Sequence, residues 1–113
     1  MAMAMYLTKF SHTADTWANL LAKPEDRREV LSPVVEALGG KLHGYWYAFG
    51  DADGFVLFEA PDDVTAGSLL VRVASTGAFT NVSTTKLLTV EEALEVMRRG
   101  GGTEYRAPGA AGS

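Results

Sequence analysis

Two aspartates in one short segment are the first residues of this sequence that could move a proton. Asp51 and Asp53 stand between two glycines in GDADG, residues 50–54. A carboxylate beside an apolar pocket can act as a general base, because desolvation raises its pKa. Aspartate next to glycine is also typical of a tight hairpin turn, where it accepts backbone hydrogen bonds and tolerates unusual φ angles. We expect the turn role first for both residues and keep Asp53 as a candidate catalytic base.

His43 is the stronger catalytic candidate, because it lies in an aromatic segment where a neutral imidazole can exchange a proton near pH 7. The alternative is a histidine hydrogen-bonded at the sheet or at a dimer interface, since one histidine without a partner defines no site. His12 lies in a polar loop, and we expect it to be solvated. The two histidines do not have the spacing of a metal motif, and the sequence has no cysteine, so we predict neither a metal nor a cofactor.

Five aromatic residues are candidates for lining a pocket that takes a flat organic molecule. The competing interpretation is that they fill the core and interfaces, as aromatic side chains commonly do. Trp17 is the most informative, because it precedes the main helix on a weakly apolar stretch, where a lid would sit. The five candidates are Tyr6, Trp17, Tyr45, Trp46 and Tyr47.

The elements that must position these residues can be placed from periodicity, breakers and caps. The apolar stripe of the second helix keeps its phase across Pro33, which predicts a kink and not a break. We predict strands at 3–10, 41–49, 55–60 and 79–88, and helices at 14–22, from Pro24 to the stop at Gly39, at about 63–76, and from the capping box at Thr89 to Arg99.

The order β-α-β-β-α-β predicts an α+β, ferredoxin-like fold with an added C-terminal helix. Residues 1–99 form one domain, and residues 100–113, rich in glycine and alanine, form a C-terminal tail. In this fold the helices cover one face of the sheet. Apolar residues occupy both parities of the strands, which favours a homodimer or a higher homo-oligomer with the sheets packed face to face.

Composition restricts the partners and the compartment. The 113 residues carry 10 Lys and Arg against 14 Asp and Glu, a net charge of −4, which disfavours nucleic acid because its binding needs a basic surface. No apolar run approaches the length of a membrane span. The opening residues 1–5 lack the basic region of a signal peptide, so we expect a cytoplasmic protein with no membrane partner.

Four segments together resemble the GYD domain family: PEDRREVLSPVVEALGGKL, FGDADGFVLFEAPDD, TTKLLTVEEALEVM and the tail YRAPG. The resemblance covers about residues 5–109 in order and implies a dimeric α+β barrel. The family is named for a Gly-x-Tyr-Asp hairpin. Gly50 and Asp53 match this motif, whereas Ala52 stands where the tyrosine is expected.

Three functions are compatible with this resemblance, because related α+β barrels include cofactor-free oxygenases, isomerases and binding modules. The first is binding of a small apolar or aromatic molecule in a cavity of the barrel. The second is a cofactor-free enzyme, oxygenase- or isomerase-like, in which His43 or Asp53 moves a proton. The third is a non-catalytic assembly or regulatory module. A pocket of about 300 Å³ or more that holds His43 or Asp53 would favour catalysis.

Overall fold

The computed structural model describes residues 3–109 as a four-stranded sheet with four helices. Residues 1–2 and the last four residues of the predicted tail lie outside the described residues. The strands are β1 Ala4–His12, β2 Lys41–Tyr47, β3 Gly54–Ala60 and β4 Phe79–Leu87. The helices are α1 Ala14–Ala22, α2 Arg27–Ala37, α3 Asp63–Ala74 and α4 Val90–Gly101.

The sheet has the order β2-β3-β1-β4, and every neighbouring pair is antiparallel. This is the ferredoxin-like arrangement, so the predicted fold class is confirmed. Helix α2 continues through Pro33, as its unbroken apolar stripe predicts. It begins at Arg27, three residues after Pro24, because the Asp26 carboxylate accepts from the backbone N–H of Arg28 and caps the helix there.

Helix starts follow one rule throughout the described chain. The residue before each helix accepts a hydrogen bond through its side chain from a backbone N–H of the first turn, which satisfies a donor that the helix itself leaves free. At α4, Thr89 and Glu92 exchange such bonds in the predicted capping box. The four capping residues are Thr13, Asp26, Asp62 and Thr89.

Alternation along the strands separates the sheet into two faces. The inner face packs against α1, α2 and α3, and its strand positions are largely buried. The open face lies on the other side, and none of its described residues is fully buried. The inner face carries Tyr6, Thr8, Phe10, His12, Val56, Phe58 and Ala60. The open face carries Met5, Leu7, Lys9, Lys41, His43, Trp46, Phe55, Leu57, Glu59 and Leu87.

Helix α4 contributes no buried residue to the protomer. Its apolar residues Val90, Leu94 and Met97 recur at the spacing of one helix face, and all three are exposed. Among residues 3–109, the open face of the sheet and this helix stripe are therefore apolar surfaces that no other described element buries. No helix within residues 3–109 combines the length and the apolar character that crossing a membrane requires.

Candidate functional site

A cavity of about 370 Å³ lies between the inner face of the sheet and helices α1, α2 and α3. Its floor is formed by inner-face residues of β1, β3 and β4, and α3 supplies an aliphatic wall. Most of the lining residues are apolar or aromatic, and the polar ones include Tyr45 and His12 on the sheet and Asn19 on α1. The floor and α3 wall include Phe10, Val56, Phe58, Leu69, Val73 and Val82.

Helix α1 forms the cavity wall opposite the sheet, and few packing contacts hold this helix in place. Thr16, Asn19 and Leu20 line the cavity, and their spacing places them on one face of the helix; Lys23, which follows the helix as its C-cap, also lines the cavity. No residue of α1 is fully buried, so little apolar area holds this helix in place. Its N-terminal half is tethered by a hydrogen bond from the Thr16 hydroxyl to the Ala78 carbonyl.

His12 is buried in the cavity wall, so the prediction of a solvated loop residue is wrong. Strand β1 extends to His12 because β4 pairs with it as far as Phe79, through a register shift between Ser11 and His12. The His12 side chain therefore continues the inward alternation of β1 and is only 6% exposed. The alternation of Tyr6, Thr8 and Phe10 is the sequence signal that could have found it.

Burial lowers the pKa of the His12 imidazole below its ordinary value of 6.5. The Asp53 carboxylate and the Ala78 carbonyl oppose this shift, and the Arg27 guanidinium adds to it. The Ala78 carbonyl already accepts from the backbone N–H of Thr13 and from the Thr16 hydroxyl. The ring is therefore neutral at physiological pH.

We expect the native protein to lose stability through His12 as the pH falls below about 6.5, the ordinary pKa of the imidazole. In this range the unfolded chain binds a proton at the imidazole that the folded chain, with its lowered pKa, does not bind, so unfolding is favoured as the pH falls. His12→Phe removes this group and should unfold with a free energy that changes less over the same range. Urea unfolding of both proteins at several pH values measures the difference. Equal losses in the two proteins would contradict the pKa assignment.

Asp53 joins three parts of the fold. One carboxylate oxygen, Oδ2, accepts from the backbone N–H of His12 at 2.8 Å and from the indole Nε1–H of Trp17 at 3.1 Å. Its own backbone N–H donates to the Phe10 carbonyl. Asp53 therefore fixes the end of β1 and the first turn of α1 against the β2–β3 loop, which makes it a positioning residue for the cavity wall.

The β2–β3 connection differs from the tight turn that GDADG predicts. Residues 48–53 form a longer loop, and neither Asp51, Asp53 nor the two flanking glycines have a positive φ. Gly54 is required for another reason, because a Cβ there would overlap the Phe10 ring. Ala52, the position where the family resemblance expects tyrosine, is buried in this loop.

His43 lies on the open face, remote from the cavity. Its Nε2 is 2.5 Å from a Glu59 carboxylate oxygen on the neighbouring strand. Neither His43 nor Asp53 is among the described residues that line the cavity. The structure therefore does not bring the two catalytic candidates together with each other or with the cavity.

The five aromatic candidates fall into four groups. Tyr45 lines the cavity, and burial raises the pKa of its phenol, so the hydroxyl is protonated there. Trp17 and Tyr47 pack beside His12, at ring-centroid distances of 4.9 and 6.5 Å. Trp46 is 52% exposed on the open face.

Tyr6 belongs to the core. Its ring stacks on Phe58, and its hydroxyl donates to the Asp63 carboxylate at 2.5 Å. Burial, followed by the hydrogen bond with Asp63 and then the Asp63 charge, raises the pKa of Tyr6 to about 12. Of the five residues, Tyr45 alone is among the described residues that line the cavity.

Within residues 3–109, no cluster of three or more His, Cys, Asp or Glu side chains could hold a metal ion. A family model for the GYD domain matches residues 6–97, from the first strand to the last helix. A comparison with curated proteins found no match.

Proposed function

We propose that this chain, which belongs to the GYD domain family, binds a small, largely apolar organic molecule between the sheet and helices α1–α3. The observation that carries the proposal is the cavity of about 370 Å³. This volume falls in the range of about 300–1,000 Å³ that is typical of small-molecule sites, which are mainly apolar with a few placed polar groups. Protein interiors otherwise leave few voids larger than a water molecule.

The lining supports a ligand that is apolar over most of its surface. The floor presents Phe10, Val56 and Phe58, and α3 presents Leu69 and Val73. The charged residues of the lining, Lys23, Glu25 and Arg27, come from the α1–α2 segment and not from the floor, and the Glu25 and Arg27 side chains pair with each other at 2.9 Å. A buried charge on the ligand would therefore lack a partner on the floor.

Val73→Phe is expected to weaken binding of the naphthalene-sized probe 2-methylnaphthalene by about tenfold or more, because the larger ring occupies cavity volume. Val71→Phe is the matched control. Val71 lies on the same helix, is 70% exposed and does not line the cavity. Titrations followed by backbone amide chemical shifts give both dissociation constants. Equal affinities for Val73→Phe and Val71→Phe, or no binding by the native protein, would refute the proposal.

We propose further that two copies of the chain pair through the open face. This face presents apolar residues at its centre, including Leu7, Phe55 and Leu57, and α4 adds a second exposed apolar stripe. A contiguous exposed apolar surface on a small domain is typical of an interaction site. A second copy supplies the same apolar surface, as a symmetric interface requires. Such a dimer should bury about 1,200 Å² or more in total.

A further inference from the structure

The His12 imidazole is the polar group of the cavity wall that the fold leaves unsatisfied. Both ring nitrogens, Nδ1 and Nε2, are buried, and neither has a hydrogen-bond partner among residues 3–109. Buried polar groups are nearly always hydrogen-bonded, because an unmade bond costs their desolvation. The backbone N–H of His12 is satisfied by Asp53, so the deficit belongs to the ring alone.

The His12 imidazole is packed among aromatic rings, none of which forms a hydrogen bond with its nitrogens. Four aromatic rings lie within 4.9 to 6.5 Å of the imidazole, centroid to centroid. The Ala78 carbonyl is close enough to raise the pKa of the ring, but it accepts from the Thr13 N–H and the Thr16 hydroxyl, and its geometry makes no hydrogen bond with either ring nitrogen. A neutral imidazole offers one donor and one acceptor. The four rings belong to Phe10, Trp17, Tyr47 and Phe79.

We propose that His12 is the recognition group of the cavity and that it selects an aromatic ligand carrying a hydroxyl group. This inference rests on the proposed function and specifies its ligand. A hydroxyl complements a neutral imidazole, because it can donate to the bare ring nitrogen or accept from the protonated one. An aromatic body suits the cage, whose rings pack well against a further π-system.

Trp17 is the side chain that must give way for this bond to form. It packs edge-on against His12 and shields it from the side of α1. Trp17 is 36% exposed and sits on a helix without buried residues, whereas Phe10 belongs to the buried core. Displacement of Trp17 therefore costs less than displacement of any core ring. Its indole N–H, bonded to Asp53, reports the movement.

The test compares 2-naphthol with 2-methylnaphthalene, which differ by a hydroxyl in place of a methyl group. The measured quantity is the ratio of the two dissociation constants. His12→Phe should reduce the preference for 2-naphthol by about tenfold or more, since it removes the hydrogen bond, and the ratio cancels any change in affinity that the two probes share. His12→Phe should also fold, because it places an apolar ring in an aromatic cage and removes two unpaired polar atoms. His12→Leu serves as the second variant.

The outcomes separate this inference from the proposed function. If the native protein binds neither probe, the proposed function fails. If it binds both and His12→Phe and His12→Leu keep the native ratio, this inference alone fails. Loss of the preference in His43→Phe instead would place hydroxyl recognition on the open face and overturn the inference. In the native protein 2-naphthol should shift the Trp17 indole N–H resonance, assigned with Trp46→Phe, and an unshifted resonance counts against the displacement of Trp17.

Discussion

Replacing Leu57 by lysine should make the protein monomeric at micromolar concentration, whereas the native chain should be a dimer. Leu57 lies on β3 at the centre of the open face, between Leu7 on β1 and Gly44 on β2. In a dimer with the sheets face to face, the substitution places a cation from each subunit in an apolar interface. An unpaired buried charge costs several kcal/mol, so the dissociation constant should rise by at least about a hundredfold.

Leu21→Lys is the matched control for this substitution. Leu21 lies on α1, is 81% exposed and belongs neither to the open face nor to the cavity lining. Light scattering of the native protein and both variants at one concentration gives the masses. We expect a dimer for the native chain and for Leu21→Lys. A native monomer, or a dimeric Leu57→Lys, would show that the open face is not the interface between two copies.

Asp53→Ala should lower the free energy of unfolding by about 2 kcal/mol, which is the second large effect that we expect. The substitution leaves the buried backbone N–H of His12 without an acceptor, and an unsatisfied buried donor costs about 1–3 kcal/mol. It also releases the indole of Trp17 and with it the start of α1. Asp53→Asn keeps an oxygen acceptor and should cost less, within about 1 kcal/mol.

Asp51→Ala is the control within the same loop. The Asp51 side chain is exposed, so its removal should change the free energy of unfolding by no more than about 0.5 kcal/mol. Urea unfolding of the native protein and the three variants gives the free energy of unfolding of each. If Asp53→Ala were as mild as Asp51→Ala, the carboxylate would not be the tether that holds α1. If Asp53→Asn were as damaging as Asp53→Ala, the negative charge itself would be required.

The fold could be predicted because its determinants are local in sequence. The capping box at Thr89, the stripe that continues across Pro33 and the apolar run before Pro61 each specify an element without reference to the rest of the chain. Their order then leaves the ferredoxin-like arrangement as the natural solution. Which face the helices cover was undecided, because both parities of β2 are apolar and the register of the sheet decides between them.

The site could not be predicted in the same way, because it depends on contacts between distant residues. His12 lies in the polar segment SHTAD, residues 11–15, and only the pairing of β1 with β4 carries it into the cavity wall. The sequence context of Asp53 is typical of a turn residue. In the structure, its carboxylate oxygen accepts hydrogen bonds from His12, 41 positions away, and from Trp17, 36 positions away. The aromatic sequence context of His43 favours a catalytic role more than that of Asp53 does. In the structure, His43 pairs with Glu59 on the open face, on the side of the sheet away from the cavity.

The location of a bound probe tests the central claim most directly. Intermolecular nuclear Overhauser effects between 2-methylnaphthalene and the methyl groups of the protein identify the residues that the probe touches. A ligand site between the sheet and the helices predicts contacts with Leu69, Val73 and Val82, which line the cavity. Contacts confined to Leu7 and Leu57 on the open face, or no contacts at saturating probe, would contradict it.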